Sequence, residues 1–164
     1  MREIILTQGK ATVVDDEDFE YLAQFKWHAV KLGRNWYASR DLKTLDGYKN
    51  HRMQWDILGK NTDHKNGNGL DNRRANLRVC TKAQNTQNQR RIPTEITPYK
   101  GVKKRVYRYR TMWEAQIKAE GQQIYLGLFG TAEEAALTYN RAALIRFGEF
   151  ASLNKIALKK KVNK

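Results

Sequence analysis

A short stretch near the middle of the chain combines an acid, a histidine and, further on, side-chain amides. Asp63 and His64 are adjacent, a loop rich in Gly and Asn follows them, and a polar segment then carries Asn85 and Asn88. A carboxylate, an imidazole and an amide oxygen that meet in space provide ligands for a hard divalent ion together with a base. Such a set suits the hydrolysis of phosphodiester bonds, and the elements around it should serve to position it.

Local patterns predict the elements that would bring these residues together. A strand, a tight loop and a second strand are predicted over residues 62–64, 66–76 and 77–80. The loop is expected to use left-handed backbone at Gly67 and Gly69, and Thr81 is a suitable N-cap for a helix that runs to about residue 90. Strand, loop, strand and helix in this order are compact enough for Asp63 and Asn85 to meet at one point.

The start of the chain, residues 1–50, is predicted to form a β-rich lead-in. Apolar runs on either side of Gly9 indicate a β-hairpin, and two further strands are expected at residues 27–30 and 36–40. Four acidic residues at positions 15–18 separate the hairpin from these strands. We interpret them as the N-terminus of a helix, where carboxylates face the positive end of the helix dipole, in preference to a metal cluster.

The candidate site falls within residues 51–90, which begin with His51. Apolar residues between positions 53 and 58 predict a short helix that His51 opens and Gly59 ends. We interpret His51 as structural, and the alternative is a contact with the metal or with a phosphate. Both prolines of the chain fall within residues 91–98, which we therefore interpret as a linker.

Beyond this linker, residues 99–154 are predicted to form a second small domain. Basic runs and alternating apolar and polar residues indicate three strands between positions 101 and 129. Thr131 and Glu134 have the spacing of a helix capping box, and Gly148 should end that helix. A three-stranded antiparallel sheet packed on one amphipathic helix is enough for a small domain, and the fold class predicted for the whole chain is α+β.

The charge distribution indicates the kind of partner. The net charge is +14, and the basic residues number eight against eight acidic ones in residues 1–50, nine against four in 51–98 and fourteen against five in 99–164. A neutral start and a basic remainder indicate a polyanionic partner, and the alternative on charge alone is an RNA-binding or ribosome-associated protein. Residues 155–164 hold five lysines and are interpreted as a solvated basic tail.

A single cysteine excludes an internal disulfide, and no apolar run reaches membrane length, so a cytoplasmic protein is expected.

The candidate site resembles the HNH nucleases, and in particular their phage and intron-encoded homing endonucleases. The shared positions are His51-Arg52, Asp63-His64, Gly67-Asn68, Asp71-Asn72-Arg73, Asn76-Leu77, Thr81 and Asn85. The resemblance implies a ββα-metal fold in which Asp63 and Asn85 bind one Mg²⁺ or Mn²⁺ ion. It also implies that His64 is the general base for the attacking water and that Asn76 braces the loop and orients His64. Where many members carry a histidine as the third residue of the family name, this chain has an amide, Asn88 or Gln89.

Residues 99–154 resemble the Apetala-two/ethylene-response-factor DNA-binding domain. The match is carried by Tyr99-Lys-Gly-Val102, Trp113-Glu-Ala-Gln-Ile117, Tyr125-Leu-Gly127 and Thr131-Ala-Glu-Glu-Ala-Ala136. The resemblance implies that the sheet lies in the major groove of DNA. The positions at which the family contacts DNA are Lys100, Lys103, Arg105, Lys118, Gln123 and Tyr125. Lysine replaces several arginines of the family, which removes the bidentate fork that reads guanine and implies looser specificity.

Together these observations predict a metal-dependent DNA endonuclease of the homing type. It is expected to act on double-stranded DNA as a monomer or weak dimer, and to be encoded by a phage in a bacterial host. The alternative is a DNA-binding transcriptional regulator that does not cleave and uses residues 99–154 alone. The set of acid, histidine and amide favours the endonuclease.

Overall fold

Strands and helices alternate along the chain in an α+β arrangement, which confirms the predicted fold class. The computed structural model describes residues 1–89 and 93–156. The backbone divides into two compact units, Met1–Thr86 and Gln87–Lys164. Parts of the predicted linker and basic tail, residues 91–92 and 157–164, and the predicted helix end at residue 90 lie outside the described residues. No helix within the described part combines the length and apolar character needed to cross a bilayer.

The first unit begins with a β-hairpin. Strands β1 (Arg2–Ile5) and β2 (Ala11–Val14) are antiparallel around Gly9, whose φ is +63°, and helix α1 (Asp16–Leu22) follows. These elements bury apolar side chains in one core with residues further along the unit: Ile4, Leu6, Val14, Leu22, Trp27, Ala29, Ala38 and Met53. The predicted lead-in therefore shares its core with the segment that carries the candidate site.

The acidic run begins α1 as expected but also holds a distant segment. Three acids lie in the first turn, yet the N-cap residue Asp15 makes no side-chain cap bond. Its Oδ2 accepts instead from the backbone N–H of Arg74 at 2.7 Å. The Arg74 guanidinium donates to both carboxylate oxygens of Asp18, at 2.9 and 2.7 Å, and pairs with Glu17. The predicted helix N-terminus is present, and the Asp15 side chain binds a segment far along the chain and makes no capping bond.

A second sheet of the first unit contains a strand that the sequence does not predict. Its strands are β3 (His28–Leu32), β4 (Asn35–Thr44) and β5 (Gly47–Arg52), antiparallel in that order. His51 pairs with Arg40 of β4, and helix α2 (Met53–Leu58) begins only after Arg52, whose ψ of 143° is extended. The prediction that His51 opens the helix is wrong, because pairing with β4 extends β5 through polar residues that lack an apolar alternation.

Two strands, a loop and a helix carry the candidate site. The elements are β6 (Thr62–His64), a 3₁₀ turn (Arg74–Asn76), β7 (Leu77–Val79) and α3 (Lys82–Asn88). The two strands are antiparallel, with Asp63 opposite Arg78. The hydroxyl of Thr81 accepts from the N–H of Gln84 at 3.2 Å, and the Gln84 side chain accepts from the N–H of Thr81 at 2.8 Å. This reciprocal pair confirms Thr81 as the N-cap of the helix.

The second unit is an antiparallel sheet with one helix packed on it. Its elements are β8 (Val102–Val106), β9 (Thr111–Ala119), β10 (Gln122–Phe129) and α4 (Ala132–Phe147), and β9 is the central strand. The contact between helix and sheet is made by mostly small apolar side chains: Val102, Ala115, Ile117, Ala132, Ala135, Ala136, Tyr139 and Ala143. The capping box of Thr131 and Glu134 is present, and Gly148 follows the helix with φ +51°, both as predicted.

Candidate active site

The imidazole of His64 lies at the end of β6, and only 4% of the residue is exposed. Its Nε2 is 3.0 Å from Oδ1 of Asn72, in the loop between β6 and β7. The ring of Tyr37, on β4, meets it edge to face, with 6.0 Å between centroids. Burial lowers the pKa of His64 below 6.5, against the opposing effects of the Asn72 hydrogen bond and the Asp63 charge. The imidazole is therefore neutral at pH 7, which is the form that accepts a proton.

Asn72 connects the imidazole to the N-terminal hairpin. Its side chain is fully buried, and Nδ2 donates to the hydroxyl of Thr12 at 2.8 Å. That hydroxyl donates to the carbonyl of Leu70, also at 2.8 Å. In the backbone, the N–H of Val13 donates to the Leu70 carbonyl at 2.9 Å, and the N–H of Asn72 donates to the Val13 carbonyl at 2.8 Å. The loop is thus fastened along β2 by side-chain and backbone hydrogen bonds.

Asp63 forms a buried ion pair with Arg78 on the facing strand. Nη2 and Nε of Arg78 lie 3.0 and 3.3 Å from Oδ2 of Asp63, and only 8% of either side chain is exposed. Both charges have left water, and each contributes to the compensation of the other. The guanidinium also sets a fixed positive charge beside the carboxylate that the sequence resemblance assigns to a metal ion.

Asn76 holds the loop through both ends of its side chain. Its Oδ1 accepts from the N–H of Asn66 at 3.0 Å, and its Nδ2 donates to the carbonyl of Asp71 at 2.7 Å. These two bonds connect the beginning and the middle of the loop to its end, which is the geometry expected of a residue that braces the loop. That Asn76 also orients His64 stays a prediction, and the side chain that meets Nε2 of the imidazole is Asn72.

The two loop glycines are required for different reasons. Gly67 has a φ of +73°, the left-handed conformation predicted for it, but Gly69 does not take a positive φ. A Cβ on Gly69 would overlap the ring of Tyr37 and would lie 2.5 Å from the backbone oxygen of Trp36. The prediction for Gly69 is wrong, because the constraint is the close approach of β4, which the local sequence does not reveal.

The amides predicted as metal ligands lie on α3. Asn85 is exposed and Asn88 is half-buried, whereas Asp63 is buried on β6. The convergence of Asp63 and Asn85 on one ion stays a prediction. Among residues 1–89 and 93–156, no three His, Cys, Asp or Glu side chains group as metal ligands. The donors on offer are a carboxylate and an amide, hard oxygens of the kind that suit Mg²⁺ or Mn²⁺ retaining several waters.

His51 is tied to neighbouring elements of the first unit. Its Nε2 is 3.0 Å from Oδ1 of Asp56, which also accepts from Arg40 at 3.2 Å. The ring packs edge to face on Trp55, with 5.6 Å between centroids. These contacts agree with the structural interpretation of His51, and its alternative role at the metal or a phosphate stays a prediction.

Five of the six residues expected to contact DNA share one face of the sheet in the second unit. Ala115, Ile117 and Ala119 of β9 point towards α4 and are buried, so the alternate residues of the strand point away from it. The register places Lys103 opposite Glu114, Gln123 opposite Lys118, and Tyr125 opposite Gln116. We call this surface the open sheet face, and its members are Lys103, Arg105, Lys118, Gln123 and Tyr125. Except for Arg105, whose Nε lies 2.6 Å from Glu114, the members are exposed.

Backbone carbonyls hold the side chain of Lys100, the sixth of these residues. It precedes β8, and its ammonium donates to the carbonyls of Gln87 and Gln89 at 2.5 and 2.8 Å. Partial burial lowers the pKa of Lys100 to about 8. The side chain therefore satisfies carbonyls at the end of α3, as lysines near helix C-termini often do. The contact of Lys100 with DNA stays a prediction, and without DNA its ammonium is held by these two carbonyls.

Sequence reasoning assigns no role to Thr12, Asn72 or Arg78. Asn72 belongs to the run Asp71-Asn72-Arg73, which the HNH resemblance includes, so the sequence already marked its position. Thr12 occupies an inward position of β2, where a polar side chain among apolar ones indicates a buried hydrogen bond. Arg78 lies opposite Asp63 only because of the strand register, which becomes visible once β6 and β7 are paired.

Comparison with known proteins adds to this geometry. A family model described as HNH endonuclease matches residues 54–87. An uncharacterized HNH endonuclease of Acanthamoeba polyphaga mimivirus is 31% identical over 162 residues, which cover 93% of this chain and 80% of that protein. No solved structure matches.

Two proteins of Arabidopsis thaliana match shorter parts. A dehydration-responsive element-binding protein is 36% identical over 69 residues, or 36% of this chain and 27% of the plant protein. An ethylene-responsive transcription factor-like protein is 50% identical over 40 residues, or 24% of this chain and 18% of the plant protein. These partial matches hint at a DNA-binding domain.

The likeness to the viral protein extends over nearly the whole chain, and the family model covers the segment that carries Asp63, His64, Asn76 and Asn85. The two findings confirm the predicted enzyme class, a hydrolase that cleaves DNA, and the chain belongs to the HNH endonucleases.

Proposed function

We propose that the chain is a metal-dependent DNA endonuclease of the homing type, with His64 as the general base. The observation that carries this proposal is the neutral imidazole of His64, held beside Asp63 within the segment that matches the HNH family. A positioned base that removes a proton from the attacking water contributes about 10²–10⁴-fold to a rate. The order β6, β7 and α3 supports a ββα-metal arrangement of the site.

Asp63 and Asn85 would hold one Mg²⁺ or Mn²⁺ ion, with water completing its coordination and Asn88 as a candidate further ligand. A bound divalent ion supplies positive charge to the phosphate oxygens on which negative charge grows as the bond breaks. Arg78 offsets the charge of Asp63 in the absence of an ion, and the ion would share this carboxylate with the guanidinium. Asn76 keeps the loop between the two strands in place.

The open sheet face of the second unit is proposed to bind the target duplex. Its lysines, Lys103 and Lys118, are exposed and can contact phosphates, while Gln123 and Tyr125 offer a polar and an aromatic group to the bases. Arg105 is paired with Glu114, and its side chain is 42% exposed, so it can contact a phosphate within this ion pair or after leaving it. The partial likeness to two plant proteins supports this assignment. A cytoplasmic location and a phage-encoded origin stay predictions.

Plasmid cleavage tests the proposal. Supercoiled DNA carrying candidate targets is incubated with Mg²⁺ or Mn²⁺ and with the wild type, His64→Ala or His28→Ala. His28, at the start of β3, is a matched control for the loss of an imidazole. We expect His64→Ala to be slower by about 10²–10⁴-fold and His28→Ala to cleave like the wild type. Equal cleavage by all three proteins would remove His64 from the mechanism. A wild type that shifts DNA but cleaves none with either ion would favour the regulator that does not cut.

A further inference from the structure

We propose that Thr12 and Asn72 are positioning residues that fix the tautomer of His64. The N-terminal hairpin would then be part of the catalytic apparatus and not a separate lead-in. The inference rests on the proposed role of His64 as the base and adds to it the source of the ring's orientation.

The carbonyl of Leu70 decides where the protons lie in the hydrogen bonds that join Thr12, Asn72 and His64. The backbone oxygen of Leu70 can only accept, so the Thr12 hydroxyl, 2.8 Å away, must donate to it. The Sδ of Met53, at 4.0 Å from the same hydroxyl, is a weaker acceptor. With its proton committed to Leu70, the Thr12 oxygen accepts from Asn72, and the group of Asn72 that faces it is the NH₂. The amide oxygen of Asn72 therefore faces His64.

The amide oxygen in turn decides the tautomer of the imidazole. An oxygen 3.0 Å from Nε2 accepts a hydrogen bond, so Nε2 carries the proton of the neutral ring. Nδ1 is then the nitrogen with the basic lone pair. If the Asn72 amide turned over, its NH₂ would face Nε2 and would favour a proton on Nδ1 instead. A ring in that tautomer presents a donor where the reaction needs a base, an error that is costly in other histidine bases.

We call the hydrogen bonds that run from Leu70 through Thr12 and Asn72 to His64 the relay. It holds the Asn72 amide too firmly for its oxygen and nitrogen to exchange places in the folded protein. Thr12 and Asn72 are both fully buried, so water does not compete for their hydrogen bonds. The backbone bonds between Val13 and the loop keep the two side chains in register, and a parallel bridge joins Val13 to Asp71. Loss of the hydroxyl alone would remove the hydrogen bond with β2 that distinguishes the nitrogen of the Asn72 amide from its oxygen.

Nitrogen NMR of the full chain with ¹⁵N-labelled histidine tests this inference without relying on cleavage. Above about pH 7, where the ring is neutral, the wild type should show His64 protonated on Nε2. His51, whose Nε2 faces a carboxylate of Asp56, serves as an internal reference for that tautomer. Thr12→Val, which keeps the shape of the side chain but removes the hydroxyl, should populate the tautomer protonated on Nδ1. Thr12→Ser should restore the wild-type spectrum.

A matched control separates this effect from the general loss of a buried hydroxyl. Thr62, also buried, donates to the carbonyl of Gly59 at 2.6 Å, and Thr62→Val should leave the His64 tautomer unchanged. In cleavage assays Thr12→Val should lower kcat by about 10- to 100-fold, the usual cost of losing a group that orients a reactive side chain, with KM for DNA unchanged. Thr12→Ser should recover most of kcat.

The outcomes that would overturn the inference differ from those that would overturn the proposed function. A wild-type His64 protonated on Nδ1 refutes the relay, and this measurement needs no variant to fold. A Thr12→Val protein with the wild-type tautomer and kcat refutes it as well. If the spectra respond as expected but the wild type cleaves no DNA, the relay is supported and the proposed role of His64 as a base fails.

Discussion

Replacing Arg78 by methionine should destabilise the first unit strongly. Asp63 and Arg78 are only 8% exposed, with 3.0 Å between Nη2 and Oδ2. Arg78→Met therefore leaves the carboxylate buried without this cation. Removing one partner of a buried ion pair costs about 3–5 kcal/mol. For a unit the size of Met1–Thr86 this loss lowers Tm by roughly 12–40 °C.

A divalent ion at Asp63 should restore part of this stability, because it replaces the missing positive charge. An ion that binds only the folded state stabilises it by about 2.7 kcal/mol at a concentration of 100 times its Kd. Thermal unfolding followed by circular dichroism, with increasing Mg²⁺, should show a large rise in Tm for Arg78→Met. The wild type should respond less, because there the ion shares Asp63 with the guanidinium.

Two controls separate this mechanism from general destabilisation. Arg2 pairs with Glu20 in the same unit, but their side chains are 48% and 80% exposed, so Arg2→Met should cost only about 0–1 kcal/mol. The double variant Asp63→Asn/Arg78→Met removes the proposed ligand and should lose the response to Mg²⁺. An Arg78→Met protein that melts close to Arg2→Met would show that the ion pair contributes little, and an equal rise of Tm with Mg²⁺ in the single and double variants would show that the ion does not bind Asp63.

The remaining predictions concern pH and salt. Because burial lowers the pKa of His64, the acid limb of kcat/KM should lie below pH 6.5, with activity falling as the pH falls through that pKa and the ring becomes protonated. A profile from about pH 5 to 8 checks this, and a limb above 6.5 contradicts it. Lys118→Ala should weaken DNA binding and reduce the salt slope by about 1, as measured by fluorescence anisotropy. Because carbonyls hold the Lys100 ammonium, Lys100→Ala should leave that slope unchanged and lower Tm of the second unit, whereas an equal loss of slope would place Lys100 at the DNA interface.

Features decided by near neighbours in the chain were predictable. The β1–β2 hairpin follows from apolar runs around Gly9, and the capping boxes at Thr81 and Thr131 each involve residues three positions apart. In these cases the interactions that form the element are encoded within the element. The adjacent acid and histidine of the candidate site could also be found locally, because the residue types alone indicate a metal ligand and a base.

Features decided by distant contacts were not predictable from local patterns. Strand β5 exists because β4 offers it a partner, and Gly69 is constrained by Tyr37 and Trp36 of β4. The ammonium of Lys100 has the right type and position for a phosphate contact, and its hydrogen bonds to the carbonyls of Gln87 and Gln89 could not be foreseen from the local sequence. Residue type thus indicated which side chains could do chemistry, and tertiary contacts determined which groups those side chains bind in the folded chain.

The link between β2 and the loop also bears on the order of events during synthesis. Thr12 and Asn72 are separated by 60 positions, so their hydrogen bond closes a long segment of chain and forms only after that segment has left the ribosome. His64 emerges eight residues before Asn72, at a stage when nothing from the loop can yet set its ring. We expect nascent chains that stop short of this point to lack a fixed imidazole at His64.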